Sequence, residues 1–123
     1  MNVYFLQAGS NRLKIGKATN VTERIADLQT GSPFRLRLIG QLSCLSEAHA
    51  REVEKQLHKA FSKSRSHGEW FRFGTKERLA VQRCLELGPL SVTEAVWVAR
   101  VELRRPMREK VGFLRLARIR ETK

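Results

Sequence analysis

Residues 13–31 read LKIGKATNVTERIADLQTG, and this stretch decides how the first half of the chain folds. It starts with alternating apolar and basic residues, a pattern that favours a β-strand. It continues with Asn20 and Glu23 at the spacing of a capping box, so a helix is predicted to begin there. Three cations surround this strand-to-helix junction, namely Lys14, Lys17 and Arg24. They form either a solvated face or a phosphate site, and the stretch alone leaves both interpretations open.

The residues before this stretch predict a β-hairpin. VYFLQA (3–8) is apolar and β-prone, GSN (9–11) is typical of a turn, and RLKIGK (12–17) returns as the second strand. Gly16 lies near the end of that second strand, where a glycine indicates a bulge or a close approach to the backbone.

After the first helix the chain predicts one more strand and then its strongest helix. FRLRLIGQL (34–42) alternates apolar and basic residues, which indicates a strand with one wet, basic face. Helical spacing is clearest over residues 46–61, where the apolar stripe consists of Ala50, Val53, Leu57 and Phe61. The elements predicted beyond it are a polar loop (62–68), an aromatic strand (69–73), a helix capped by Thr75 and ended by Gly88, and a helix capped by Ser91 and ended by Pro106.

These elements predict an α+β fold, a small central antiparallel sheet flanked by helices. The first domain is expected to span residues 1–74. Residues 75–123 are expected to form a helical, basic C-terminal extension. The last segment, from residue 107 onward, mixes strand and helix periods and predicts neither.

The charge of the chain points to a polyanionic partner. Its 123 residues carry a net charge of +12, with a sequence pI near 10.9. The excess is concentrated in residues 1–73 and 100–123, each of which carries a net charge of +6. Such a profile is typical of proteins that bind DNA, RNA or an anionic membrane surface, and charge alone does not choose between them.

The remaining composition indicates a cytoplasmic protein. No apolar run approaches the ~20 residues of a membrane span, and the N-terminal residues lack a signal-peptide layout. Cys44 and Cys84 lie far apart among apolar residues, which favours reduced core thiols over a zinc site or a disulfide.

Two motifs in order resemble the GIY-YIG nuclease superfamily. VYF is followed about ten residues later by KIGKATNVTER, and these segments resemble the paired motifs of that family. Tyr4 matches the tyrosine of the first motif, and Lys14 begins a KIG in place of the usual YIG. Downstream, EVEKQLHKAF (52–61) and HGEWF (67–71) resemble the phage and bacterial branch that carries KIG. The resemblance covers residues 2–73 and implies the corresponding fold.

The resemblance implies a metal-dependent endonuclease that hydrolyses DNA. Tyr4 and Lys14 would prepare a water molecule, and Arg24 and Lys17 would hold the phosphate. Glu54 would bind Mg²⁺ or Mn²⁺. Glu54 and His58 are four residues apart on one helix face, so His58 is a further catalytic candidate. Glu69 is either a second acidic group or a structural residue at a sheet edge.

The main alternative is a nucleic-acid-binding module on the same scaffold that has lost the chemistry. Lys14 replaces the second tyrosine of the superfamily, so activity depends on whether Lys14 assists Tyr4. DNA is the expected partner, RNA stays open, and neither a membrane nor a small-molecule cofactor is expected. The predicted nucleic-acid-binding residues outside the motifs are Arg35, Arg37, Arg104, Arg105, Arg108, Arg115 and Arg118.

Overall fold

The computed structural model describes residues 1–106 and has the predicted α+β fold, a five-stranded antiparallel sheet with four helices. The elements are β1 (Asn2–Ala8), β2 (Arg12–Ala18), α1 (Val21–Thr30), β3 (Leu36–Ser43), α2 (Glu47–Ala60), a 3₁₀ turn (Ser62–Ser64), β4 (Arg65–His67), β5 (Trp70–Arg72), α3 (Thr75–Leu87) and α4 (Val92–Arg104). The strand order is β3-β1-β2-β5-β4. Three predicted nucleic-acid-binding residues, Arg108, Arg115 and Arg118, lie outside the described residues. Within residues 1–106, no helix is long and apolar enough to cross a membrane.

The β1–β2 hairpin determines which side chains share a face of the sheet. Its turn contains Gly9 at φ +63°, a conformation that glycine adopts without steric cost. Tyr4 pairs with Gly16, and Leu6 pairs with Lys14. Because side chains alternate along a strand, these four residues point to one face of the sheet.

The opposite face of the hairpin forms the larger hydrophobic core. Phe5 on β1, Phe61 beyond α2 and Phe71 on β5 are fully buried there. Each contributes about 1.5–3 kcal/mol of burial free energy. The same core contains Ala80 from α3 and Ala95 from α4, so one core includes residues from both sides of position 74. The predicted domain division at that position stays a prediction.

The first helix covers the Tyr4 face of the sheet. Asn20 Oδ1 accepts a hydrogen bond from the Glu23 amide at 3.0 Å, which confirms the predicted N-cap. Val21 packs against Tyr4 and Leu6 in a second, smaller cluster. This cap fixes the start of α1 beside β2 and places Arg24 one turn into the helix.

Two local predictions are wrong, and the predicted strand β3 departs from regular alternation. Residues 62–68 are not simply a polar loop, because β4 pairs with β5 after the 3₁₀ turn and satisfies backbone groups at that edge. The N-cap of α3 is Gly74 rather than Thr75, since the Glu77 carboxylate reaches back to accept from the Gly74 amide at 2.8 Å. A bulge opposite β1 interrupts β3 and breaks its alternation, which leaves Leu38 40% exposed.

Candidate active site

The candidate site lies where β2 loses its neighbouring strand. Within the described residues, β5 pairs with β2 only as far as Lys14. Beyond that point, the Ile15 amide donates to the Glu69 carbonyl at 3.2 Å, and the Ile15 carbonyl lies 2.8 Å from His58 Nε2. This open edge allows side chains from β1, β2, α1, α2 and the β4–β5 turn to meet around Gly16.

Tyr4 is 1% exposed, and its ring lies directly over Gly16. A Cβ atom added to Gly16 would lie 2.5 Å from Tyr4 Oη, so only glycine leaves room for the phenol. Burial raises the pKa of Tyr4 above its usual value of 10, although a hydrogen bond and the charge of Arg24 oppose this. The negative charges of Glu69 and Glu54 raise it further. The phenol is therefore protonated at neutral pH and lies beside one cation and two carboxyl groups.

Lys14 forms an ion pair with Glu69 at the same edge. Its Nζ lies 2.8 Å from Glu69 Oε2 and 5.3 Å from the centre of the Trp70 ring, and its side chain is only 9% exposed. Burial alone would raise the pKa of Glu69, but the hydrogen bond and charge of Lys14 lower it below its usual value. Glu69 is therefore ionised at neutral pH. Arg24 is the cation that hydrogen-bonds Tyr4, and help from Lys14 to Tyr4 stays a prediction.

Glu54 is held in a setting that disfavours its charge. Its side chain is 14% exposed, and Oε2 is buried without a hydrogen-bond partner among residues 1–106. Burial, followed by the negative charge of Glu69, raises the pKa of Glu54, while His58 and Lys17 lower it. A hydrogen bond between the two carboxyl groups also raises it. Burial and the neighbouring charge of Glu69 therefore disfavour the ionised form of Glu54.

This carboxyl pair is chemically suited to a hard divalent cation. An unpartnered carboxylate oxygen beside a second carboxylate is a ligand arrangement that Mg²⁺ accepts, because Mg²⁺ takes oxygen ligands and keeps several waters. The described residues contain no group of three or more His, Cys, Asp or Glu side chains that would hold a metal ion. The donor set thus fits a metal bound through few protein ligands rather than a closed zinc site.

His58 connects α2 to β2. Because the Ile15 carbonyl only accepts, Nε2 must carry the hydrogen in that 2.8 Å contact. Nδ1 is then free to accept from Arg65 Nη2 at 3.4 Å, so the neutral imidazole satisfies both contacts. His58 Nε2 also lies 3.7 Å from Glu54 Oε1. These contacts place the imidazole beside the Glu54 carboxylate at the sheet edge.

A cationic cleft of about 430 Å³, called the site cleft below, opens beside Glu54 and His58. Its other lining residues are Lys17, Arg51, Lys55, Lys59, Ser62 and Arg65. Four of these cations are not among the site residues predicted from the sequence. Arg51, Lys55 and Lys59 recur every fourth residue, which places them on one face of α2, and this spacing was the available signal. Arg65 had no comparable signal, because it reaches the cleft through the β4–β5 pairing.

Several predicted residues lie away from this cluster. Arg35 precedes β3 and Arg37 lies on it, at the opposite edge of the sheet from β4, and Arg37 donates to Gln7 Oε1 at 3.1 Å. Arg104 and Arg105 lie at the end of α4, where Arg105 Nη1 pairs with Glu102 Oε1 at 3.1 Å. The structure thus brings Tyr4, Arg24, Glu54 and Glu69 together but leaves these four arginines outside.

Comparisons with known proteins give one family. A search of curated proteins and a search of solved structures each returned no match. The specific GIY-YIG assignment accordingly stays a prediction. A family model described as the T5orf172 domain matches residues 1–86, a range that includes the whole cluster around Gly16, and the chain therefore belongs to the T5orf172 domain family.

Proposed function

We propose that the protein is a metal-dependent endonuclease that hydrolyses phosphodiester bonds in DNA. The T5orf172 domain is GIY-YIG-like and nuclease-associated, which supports a nuclease-like or DNA-binding module. The observation that carries the proposal is the convergence around Gly16. A buried tyrosine, an arginine, an ion-paired lysine and two coupled carboxyl groups meet there, although they come from five different segments of the chain.

In this proposal Arg24 and Lys17 bind the scissile phosphate. Arg24 is exposed on α1 yet interacts with the buried phenol, so its guanidinium lies at the boundary between solvent and the site. A guanidinium donates two parallel hydrogen bonds to phosphate oxygens and stays charged. Lys17 lines the site cleft beside Glu54. Both cations stabilise the negative charge that develops on the phosphoryl oxygens during attack.

Tyr4 and Lys14 prepare the attacking water. Tyr4 Oη orients the water by hydrogen bonding and accepts a proton only after it has ionised. Because burial raises the pKa of Tyr4, this step becomes more favourable as pH rises above neutrality. Lys14 contributes by keeping Glu69 ionised beside the phenol, so that this carboxylate can accept a hydrogen bond from the water at neutral pH.

Glu54 and Glu69 would hold Mg²⁺ or Mn²⁺, which supplies Lewis-acid stabilisation of the leaving oxygen when it is bound. A bound cation would offset the negative charge of Glu69 that raises the pKa of Glu54. His58 keeps the Glu54 carboxylate at the edge of β2 through its bond to the Ile15 carbonyl.

A binding module without chemistry is the second candidate. Two observations favour it: Lys14 is engaged by Glu69, and both nitrogens of His58 contact other protein groups. On this reading the same cations bind nucleic acid, and the cluster only stabilises the sheet edge.

Nicking of supercoiled plasmid separates the two candidates. We expect nicked circles with Mg²⁺ or Mn²⁺ and none with EDTA. Glu54→Gln and Arg24→Ala should each abolish nicking, whereas Glu52→Gln should not, because Glu52 is an exposed carboxylate on the same helix. Binding without nicking in every metal would select the binding module. A parallel incubation with structured RNA tests whether DNA is the substrate.

A further inference from the structure

A second cationic cleft lies on the other side of the end of α2, and it is called the flanking cleft below. It has a volume of about 610 Å³ and lies between the 3₁₀ turn, α3 and the end of α4. Its charged lining residues are Lys59, Lys63, Lys76, Arg100, Arg104 and Arg105. None of the described side chains that line it is acidic. A concave surface with six cations concentrates positive potential more than a convex solvated face does.

Most of these cations lack a neutralising partner. Among residues 1–106, Lys59, Lys63, Lys76 and Arg104 take part in no ion pair. Arg100 donates to the neutral amide of Gln56 at 3.2 Å, and Arg105 is the one cation of the cleft that pairs with a carboxylate in the described part of the chain. Within residues 1–106, the flanking cleft therefore retains nearly its full positive charge.

The flanking cleft adjoins the site cleft. Lys59 and Ser62 line both of them, so these two residues lie at the boundary between the two clefts. From Glu54 to Lys59 the helix axis advances by about 7.5 Å. Two nucleotides of one strand of duplex DNA advance by roughly the same distance, at about 3.4 Å each.

We propose that the flanking cleft binds the phosphodiester backbone of the substrate strand beside the cleavage point. The inference rests on the proposed function and extends it, since it states where the substrate continues after leaving the site. Lysine and arginine contacts to phosphates position a duplex without reading its sequence. Binding here fixes the register of the strand over Glu54, and it requires a substrate that extends several nucleotides past the cleaved bond.

Two double variants that lose the same number of positive charges at different places test this proposal. One variant combines Lys63→Gln and Arg104→Gln in the flanking cleft, and its control combines Arg12→Gln and Arg78→Gln, which line neither cleft. All four residues are exposed, and thermal melting checks that both variants stay folded. Binding to a 20-base-pair duplex is measured in EDTA at several salt concentrations, so that no cleavage interferes. An RNA hairpin of equal length shows whether the cleft distinguishes the two backbones.

We expect the flanking-cleft variant to lose about tenfold in affinity and its salt slope to flatten by about 1.8, the value for two lost phosphate contacts. The control should keep the parent's slope. Equal losses in both variants would mean that only net charge matters and would overturn the proposal, as would an unchanged slope. The binding result does not depend on catalysis. If the parent nicks plasmid but the salt slope of the flanking-cleft variant is unchanged, the role of the flanking cleft alone is rejected. If the variant binds with an altered slope but the parent does not nick in Mg²⁺, the nuclease function alone is rejected.

Discussion

The hydroxyl of Tyr4 occupies the space that a side chain at Gly16 would need. An added Cβ would lie 2.5 Å from Tyr4 Oη and 2.7 Å from Cζ, both far inside van der Waals contact. The two residues are paired across β1 and β2, so neither can move without disturbing the central hairpin. The glycine is therefore required by the position of the phenol rather than by an unusual backbone angle.

Gly16→Ala should displace the Tyr4 ring. We expect it to lower the free energy of unfolding by about 1–3 kcal/mol, the usual cost of overpacking a rigid core, and to reduce nicking strongly. Gly31→Ala is the matched control, because a Cβ there meets nothing within 4 Å and should change stability by less than about 0.5 kcal/mol. Urea denaturation measures both variants. A Gly16→Ala protein with parental stability and activity would contradict the assigned position of Tyr4.

The Lys14–Glu69 pair should make stability depend on pH. Lys14→Met leaves Glu69 beside Glu54 without its cation, and we expect a loss of about 1–2 kcal/mol at pH 7. The folded state lowers the pKa of Glu69, so this contribution is present above about pH 4.5 and disappears as pH falls below it. The difference in unfolding free energy between parent and Lys14→Met should therefore shrink at pH 3.5. Glu69→Gln in both backgrounds completes a double-mutant cycle, and a coupling energy near zero would show that the pair contributes nothing.

The site could be predicted from the sequence where its chemistry lies in contiguous motifs. Tyr4, Lys14 and Arg24 come from one hairpin and its following helix, so their proximity follows from a short turn and an N-cap. The partner of Lys14 could not be inferred with certainty. Glu69 meets it only because β5 pairs with β2 up to Lys14, a contact across 55 residues that no local pattern encodes.

Burial of charged side chains was the least predictable feature. Glu77 is 1% exposed, although a glutamate in the first turn of a helix is ordinarily solvated. It is satisfied by the Gly74 amide at 2.8 Å and by Ser64 Oγ at 3.0 Å. Ser64 belongs to a segment predicted as a loop, so the partner was hidden by the same misassignment that missed β4. Likewise, the cations of the flanking cleft come from four separate elements, namely α2, the 3₁₀ turn, α3 and the end of α4, so no local sequence pattern predicts the cleft.

Cys84 should be inert to thiol reagents in the folded protein. It is fully buried, and burial raises the pKa of its thiol to about 12, so almost no thiolate is present at neutral pH. The protonated thiol contributes fully to stability below the usual thiol pKa near 9, and this contribution is lost as pH rises toward 12. Cys44 is only half-buried, and its thiol pKa is raised by burial to a lesser extent. Titration with a chromogenic disulfide at pH 8 should count at most one slow thiol in the native protein and two in guanidinium chloride; two rapid thiols would contradict the buried position.

Glu54→Gln should stabilise the protein while it removes the proposed metal site. The folded state raises the pKa of Glu54. The contribution of Glu54 to the free energy of unfolding is therefore favourable below about pH 4.5, and it is lost as pH rises through the pKa of the folded state. At pH 7 the ionised carboxylate is then a net cost, because Oε2 lacks a partner in the described residues and Glu69 repels it. We expect the amide to raise the free energy of unfolding by about 1 kcal/mol at pH 7 in EDTA. The gain should vanish at pH 4, since Glu54 is protonated there in the parent.

Added Mg²⁺ should reverse this order of stability. A cation that binds only the folded state stabilises the parent in proportion to the logarithm of its concentration, whereas Glu54→Gln has lost a ligand and should gain nothing. Glu52→Gln provides the control, because this exposed glutamate lies on the same helix and hydrogen-bonds only Gln56 among the described residues. Melting temperatures of the three proteins, recorded in EDTA and in a series of Mg²⁺ concentrations, give the result without any cleavage assay. If Glu54→Gln melts below the parent in EDTA, or if all three proteins gain equally from Mg²⁺, then Glu54 is a structural residue and the metal is bound elsewhere.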